Sequence, residues 1–345
     1  MTPRRLRGAA LFVVALVVGI VGATAAPASA HGLGGLSPTN YETVLQSVTP
    51  AVPGLHLRVT DLGTKVELEN ESGRDVVVLG YDGEPYLRVG PDGVFENTRS
   101  PATYLNRSTT ITKSPPKQAD PKATPVWREV SSSTTARWHD HRAHFMATDD
   151  PPEVARDRGT RRVVDHWTIP MRIGDERVTA RGQIVYVPPP SPWPWVLGAV
   201  VLAVGLVLLS RTRWWRTVFV VALTVLTITE VLHVVGLWDA STAAFGTKLG
   251  ESAYSLAGIA LGLLGLGWMW RKGVDAAVPL VLVATIFLFV AGGLADVATL
   301  GHSQVPSTFS AGVARLVVTI TLGLGAGLAV AAALRLRPQP STVTS

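Results

Sequence analysis

From Trp193 onward the chain runs through five apolar stretches, and no other feature narrows its fold as much. Trp193 to Leu209, Val218 to Trp238, Ala253 to Trp270, Val278 to Ala298 and Val313 to Leu334 are each long enough, or nearly so, to cross a hydrocarbon core. Backbone N–H and C=O groups find no water there and must pair within the segment, so such runs are expected to be α-helices. Arg211, Arg213 and Arg216 lie between the first two runs. Arg271 and Lys272 lie between the third and fourth, and Arg335 and Arg337 follow the last. If the preceding domain is outside the cell, all three basic clusters fall inside, as the positive-inside rule requires, and the carboxyl terminus is cytoplasmic.

The first 190 residues have a different character: polar, charged and rich in proline. Met1 to Arg7 is basic, Ala9 to Val21 is apolar, and Ala28-Ser29-Ala30 has the A-x-A form of a cleavage site, so residues 1–30 read as a signal peptide. Cleavage there makes His31 the first residue of the mature chain, whereas an uncleaved anchor, the alternative, would leave no free amine on His31. After cleavage its α-amino group and imidazole can chelate one metal ion together, a histidine brace; the amine titrates near pH 7.7–8.0, so a cation competes for it at neutral pH. The net charge of +6 includes three arginines of this leader. The remaining excess sits largely beside the apolar runs, so it reports topology and gives no reason to expect nucleic acid. The chain has no cysteine, which excludes disulfides, thiolate metal sites and a thiol nucleophile.

Residues 31–187 read as a β-rich extracytoplasmic domain. Leu55 to Val59 and Lys65 to Glu69 alternate with period two around the turn Asp61-Leu62-Gly63-Thr64. Asp75 to Tyr81 is β-branched, and Tyr86 to Val89 meets Val94-Phe95 across Gly90-Pro91-Asp92-Gly93, a hairpin signal. Trp167 to Ile173 and Val178 to Val187 flank Gly174-Asp175-Glu176 as a last pair. Short strands at this spacing predict an antiparallel β-sandwich of immunoglobulin-like or cupredoxin-like type. Ser108 to Pro125 reads as an exposed loop, and residues 188–192 as a stiff Pro-rich linker. The helical bundle of about five helices then occupies 193–335, followed by a tail, 336–345, in which no nucleotide-binding module is expected.

The densest chemistry lies in Trp138-His139-Asp140-His141-Arg142-Ala143-His144-Phe145-Met146, where three of the eight histidines fall within six residues. On a strand, His139 and His141 share a face, roughly 6.5–7 Å apart at Cα, close enough for two imidazoles to hold one ion. His144 would face the other way unless the strand ends or bulges. Met146 is a soft donor suited to Cu(I), and Asp140 and Arg142 can form an ion pair behind the ligands. A solvated polar strand with idle histidines is the competing account. Taken with His31, the nitrogen-rich set favours copper. His56 and His166 read as structural, and Glu84, Tyr86 and Arg88 as a hairpin ion-pair element.

Three resemblances bear on these residues. His31, Trp138, His139 and His141 look like the copper site in the B subunit of particulate methane monooxygenase, which implies a cupredoxin-like copper domain. A β-domain starting at His31 and leading into several helices is similar in plan to copper-resistance proteins, in which a CopC-type carrier works with a CopD-type membrane protein. Gly80-Tyr81-x-x-Glu84-Pro85-Tyr86-Leu87-Arg88-Val89, Ser100 to Asn106 and Trp138 to Arg142 resemble a family of actinobacterial membrane proteins, a likeness that implies no activity.

Within the apolar runs, Glu230, His233 and Asp296 stand out as an intramembrane polar cluster at the outer ends of the second and fourth helices, with Asp239, His302 and Arg315 nearby. Ionisable groups in a span mark a functional path or a structural pair. Glu230 and His233 share a helix face, and Arg315 is expected to neutralise a carboxylate. The sequence carries no Ser-His-Asp spacing, P-loop or paired-carboxylate signature, so a non-enzymatic role is favoured. Two functions fit. One is a membrane-anchored copper-binding protein for acquisition, delivery or homeostasis at the outer face of the cell membrane, working with a copper carrier or membrane protein partner. The other is a non-catalytic envelope or assembly protein whose ectodomain binds a protein partner.

Overall fold

The computed structural model describes residues 36–107 and 114–336. The expected leader, the His31 terminus and the tail beyond 336 lie outside the described residues. Thr39–Pro189 forms one compact unit and the helices that follow Pro190 form another, a division that falls inside the proline run.

The first unit is built from ten strands: β1 (Tyr41–Thr49), β2 (Leu55–Thr60), β3 (Lys65–Asn70), β4 (Val76–Leu79), β5 (Pro85–Gly90), β6 (Gly93–Asn97), β7 (Trp127–Ser131), β8 (Thr135–Trp138), β9 (Arg162–Ile173) and β10 (Glu176–Tyr186). Two short helices, α1 (Ala102–Leu105) and α2 (Pro152–Arg156), sit in its connections. Seven strands form one antiparallel sheet in the order β1-β10-β9-β4-β5-β6-β7, and β2-β3-β8 form a second. Along β9 the side chains of Trp167, Ile169, Met171 and Ile173 are buried while His166, Thr168 and Arg172 face out, the period-two pattern of a sheet with one dry face. Val66, Leu68, Ala136 and Trp138 of the small sheet share a single core with Val76, Val78, Trp167, Ile169 and Met171 of the large one. Fully burying each large apolar side chain contributes about 1.5–3 kcal/mol, which makes this shared core the chief source of sandwich stability.

The three hairpins expected from turn chemistry are present, including β5–β6 with Gly90 opposite Gly93. The strand β1 was not legible; its burial does not alternate cleanly, and it is held by pairing along β10, Tyr41 opposite Tyr186. Arg88 bridges Asp75 and Asp92 rather than Glu84, which is buried and accepts from the Ser100 hydroxyl at 2.5 Å. His56 and His166 point outward from their strands and are exposed, so neither serves the core.

The second unit contains α3 (Trp193–Leu209), α4 (Trp215–Ala240), α5 (Phe245–Glu251), α6 (Ala253–Lys272), α7 (Val274–Leu288) and α8 (Ala311–Leu336). Helix α7 continues as a π-helical turn, Phe289–Leu294, and a 3₁₀ turn, Val297–Gly301. By length and composition, α4, α6, the α7 segment through Gly301 and α8 can each cross a membrane, which supports a multi-pass membrane protein. The 17 residues of α3 rise only about 25 Å at 1.5 Å each, short of a ~30 Å core.

Lipid tails compete equally for apolar side chains, so close backbone approach has to hold such helices together. Gly323 and Gly327 provide it: a β-carbon at either would stand 2.7 or 2.8 Å from the carbonyl oxygens of Ala199 and Ala203 on α3. Gly205 of α3, by contrast, has open space where its side chain would be. Gly323→Ala is therefore expected to destabilise the helical unit by about 1–3 kcal/mol through forced separation of α3 and α8. Gly205→Ala should be neutral or slightly stabilising, and thermal unfolding of the two variants in the same detergent compares them directly.

Candidate functional site

The pairing of β3 with β8 places Val66 opposite Trp138, so the chain leaving β8 passes over the β2–β3 turn. That turn is strained. Asp61 and Leu62 both adopt positive φ, 53° and 54°, which is uncommon for residues bearing a β-carbon, and such outliers concentrate at functional sites. Gly63 follows at φ 87°, and any side chain there would strike the Thr43 hydroxyl. Thr43 in turn donates to the Ala143 carbonyl at 2.7 Å, tying β1 to the histidine segment.

The strand expected through this segment stops at Trp138, so His139 and His141 do not share a strand face. A turn closed by the Ala143 N–H on the Asp140 carbonyl gathers the histidines instead. The ring centre of His139 lies 4.9 Å from that of His141 and 5.2 Å from that of His144, the residue expected on the opposite side. Asp140 drives the turn. Its buried carboxylate accepts from Trp138 Nε1 at 3.0 Å and from Arg142 Nε and a terminal Arg142 nitrogen, both at 2.8 Å. Arg142 also donates to the Leu79 carbonyl at 3.2 Å and covers the Tyr81 ring. Both carboxylate oxygens are thus occupied, and the expected ion pair behind the histidines is observed.

His139 and His144 are each anchored through one ring nitrogen. His139 Nδ1 lies 2.5 Å from the Thr64 carbonyl oxygen, and His144 hydrogen-bonds to the Gly63 carbonyl. A carbonyl only accepts, so His139 Nδ1 carries the proton and Nε2 keeps its lone pair. That Nε2 is buried and has no hydrogen-bond partner. Burial is the main reason that both rings resist charging, and neighbouring imidazoles add to it: His139 is pushed below the usual range, and His144 down to about 4. The main-chain N–H of His141 donates to the Tyr81 hydroxyl at 3.2 Å. Met146 is half-buried two residues past His144, beyond Phe145, whose ring stacks on Tyr41 at 3.6 Å.

Among the described residues, no three His, Asp or Glu side chains already present their donors to one metal-sized point. The rings of His141 and His144 meet that of His139 edge-on, at 66° and 69°. What the arrangement offers is an unpartnered lone pair on His139, a partly preset donor orientation and, at His139 and His144, a neutral charge state.

The helical unit holds the second candidate cluster. His233 Nε2 stands 3.2 Å from Asp296 Oδ2. One turn earlier on α4, Glu230 is completely buried; Ser255 faces it, yet neither carboxyl oxygen makes a hydrogen bond of ordinary geometry. Its carboxyl presses on Gly292, where a β-carbon would meet Oε2 at 1.7 Å. Gly292 lies in the π-helical turn, a distortion frequent at functional sites and invisible in hydropathy. Arg315 does not neutralise a carboxylate as expected. It donates to the carbonyls of Thr299 (3.3 Å) and His302 (2.6 Å), capping the 3₁₀ turn, whose backbone groups would otherwise lack partners. Asp239 is exposed, and His302 Nδ1 bonds to the Ala298 carbonyl at 2.7 Å.

Comparison with known protein families, with curated proteins and with solved structures finds no match for this chain.

The lowered pKa values have a consequence for the metal-free protein. Between the ordinary histidine value near 6.5 and about 4, the unfolded chain binds protons that the half-buried His144 refuses. The stability that these neutral rings contribute is therefore complete above pH 6.5 and lost as the pH falls toward 4. The slope is up to about 1.4 kcal/mol per pH unit for each histidine. Thermal unfolding followed from pH 7.5 to 4.5 should show this acid loss, and His144→Gln should reduce it.

Proposed function

We propose that this chain is a membrane-anchored copper-binding protein whose β-unit captures the ion through His139, His141 and His144. The carrying observation is His139 Nε2, a buried lone pair with no partner whose ring is oriented by the Thr64 carbonyl. Metal-bound histidines characteristically bond through their other nitrogen to a carbonyl or carboxylate, and His144 on Gly63 repeats the pattern. Nitrogen donors without thiolate favour copper in the divalent series, and the neutral rings of His139 and His144 bind without first shedding a proton. His141 turns toward the ion, and Met146 supplies a soft donor to the reduced state.

A mature terminus at His31 would add an amine and a fourth imidazole. Support comes from where the chain enters the sandwich: Tyr41 stacks on Phe145, directly after the histidines. Ten residues separate 31 from 41, and a segment of that length reaches up to about 33–36 Å. In this reading residues 1–30 are the signal peptide, the β-unit is extracytoplasmic and the carboxyl terminus cytoplasmic. Glu230, His233 and Asp296 receive the ion at the outer leaflet, and a copper carrier or membrane protein partner completes the route. The likeness to CopC-type and CopD-type proteins and to the methane monooxygenase B subunit belongs to the same reading.

Three measurements test it. Copper titration of the purified full chain against a competing chelator should give one tight site, weakened about tenfold or more by His139→Ala or His144→Ala; unchanged affinity in both variants removes the proposal. Intact mass should place the first residue at His31. For orientation, the lack of native cysteine allows single reporters without background. Ser132→Cys is expected to react with an impermeant maleimide on intact cells, and Lys272→Cys only after permeabilisation.

A further inference from the structure

The sequence neighbours α3 and α4 do not close on one another. Helix α3 turns its small residues Ala199 and Ala203 onto Gly323 and Gly327 of α8, which leaves its other flank beside α4 uncovered. A cavity of about 440 Å³ results, walled by Val201, Gly205 and Leu209 of α3 and by Val218 and Val221 of α4, with Leu324 of α8 as part of its lining. Its size lies within the ~300–1,000 Å³ range of small-molecule sites, and its walls are almost wholly apolar. Gly205 widens it: nothing stands within 4 Å of where its side chain would be.

One end of this groove is strongly basic. Leu209 and Trp214, which line it, bracket the short α3–α4 connection carrying Arg211 and Arg213. Arg216 opens α4, and Arg335 reaches across from α8 to the Ser210 carbonyl at 2.9 Å and lies 3.5 Å from the Trp215 ring centre. Asp275, paired with Arg216 at 2.8 Å, is the carboxylate drawn into this group. Among the described residues, Arg211, Arg213, Arg216, Arg335 and Asp275 thus gather at the α3–α4 connection, next to the lining residues Leu209 and Trp214 of the slot. Arg213 lies over the exposed Trp214 ring, an amphipathic pair suited to the headgroup level.

We propose that this groove binds one anionic phospholipid, with an acyl chain between α3 and α4 and its phosphate against Arg211 and Arg213. Basic pockets between transmembrane helices select anionic headgroups by charge, while the slot supplies the chain contact that a flat surface lacks. The short α3 is then completed by lipid along the flank that protein does not cover. The proposal is independent of copper and of the β-unit.

Native mass spectrometry of the full chain, titrated with phosphatidylglycerol or with phosphatidylcholine of the same chains, tests it. Phosphatidylglycerol should be retained preferentially, with about a fivefold loss for each of Arg211→Ala and Arg213→Ala. Gly205→Phe should abolish retention by filling the slot. Gly267→Phe, at another open glycine on α6, should bind as the parent does and controls for folding. Equal retention of the two lipids overturns the proposal, as does undiminished binding by Gly205→Phe or a matching loss in Gly267→Phe. A groove occupied by a second copy would instead show a dimer that Gly205→Phe dissociates without altering lipid retention, which also overturns it.

Discussion

The antiparallel pairing of Val66 with Trp138 sets where the distinctive chemistry of the β-unit stands. Trp138 is held from two sides, its ring in the shared core and its Nε1 on Asp140. The residues that follow must therefore cross the β2–β3 turn at a fixed height. Had the pairing slipped by one residue, every side chain of β8 would change face and Trp138 would leave the core.

What the crossing produces is partial preorganisation. Consecutive carbonyls, Gly63 and Thr64, each hold an imidazole, and the backbone that aims them passes through three positive-φ residues, Asp61, Leu62 and Gly63. Asp140 and Arg142 stiffen the other side of the loop with paired charged hydrogen bonds, the strong kind. Leaving a buried nitrogen without a partner costs about 1–3 kcal/mol. His139 Nε2 stands in that state, and the proposed copper site gives it a partner.

The helical unit shows the same division between tight and open contacts. Where α8 meets α3, glycine lets backbones touch; where α3 faces α4, they stay apart. Around Glu230 the helix following α7 loosens into a π turn, and a glycine yields to the carboxyl. Polar groups inside a bilayer persist only where a bundle interior encloses them, and Glu230 with the His233–Asp296 pair occupies such an interior.

Much of this was legible in the order of residues. Apolar runs of near-membrane length announce helices because hydrocarbon leaves the backbone no other partner, and Gly90-Pro91-Asp92-Gly93 announces a hairpin through local turn chemistry. Both signals act over a few residues, so sequence carries them whole. The density of histidine between residues 139 and 144 was equally plain, as was the Asp140–Arg142 pair. Which imidazoles meet was decided elsewhere: β8 ends at Trp138, the chain turns, and carbonyls some seventy-five residues earlier orient the rings. Arg315 went to carbonyls rather than a carboxylate because the 3₁₀ turn beside it exposes backbone acceptors that no hydropathy pattern reveals. Local preferences are written in short stretches of chain; the partners of a buried polar atom depend on segments that only packing brings together.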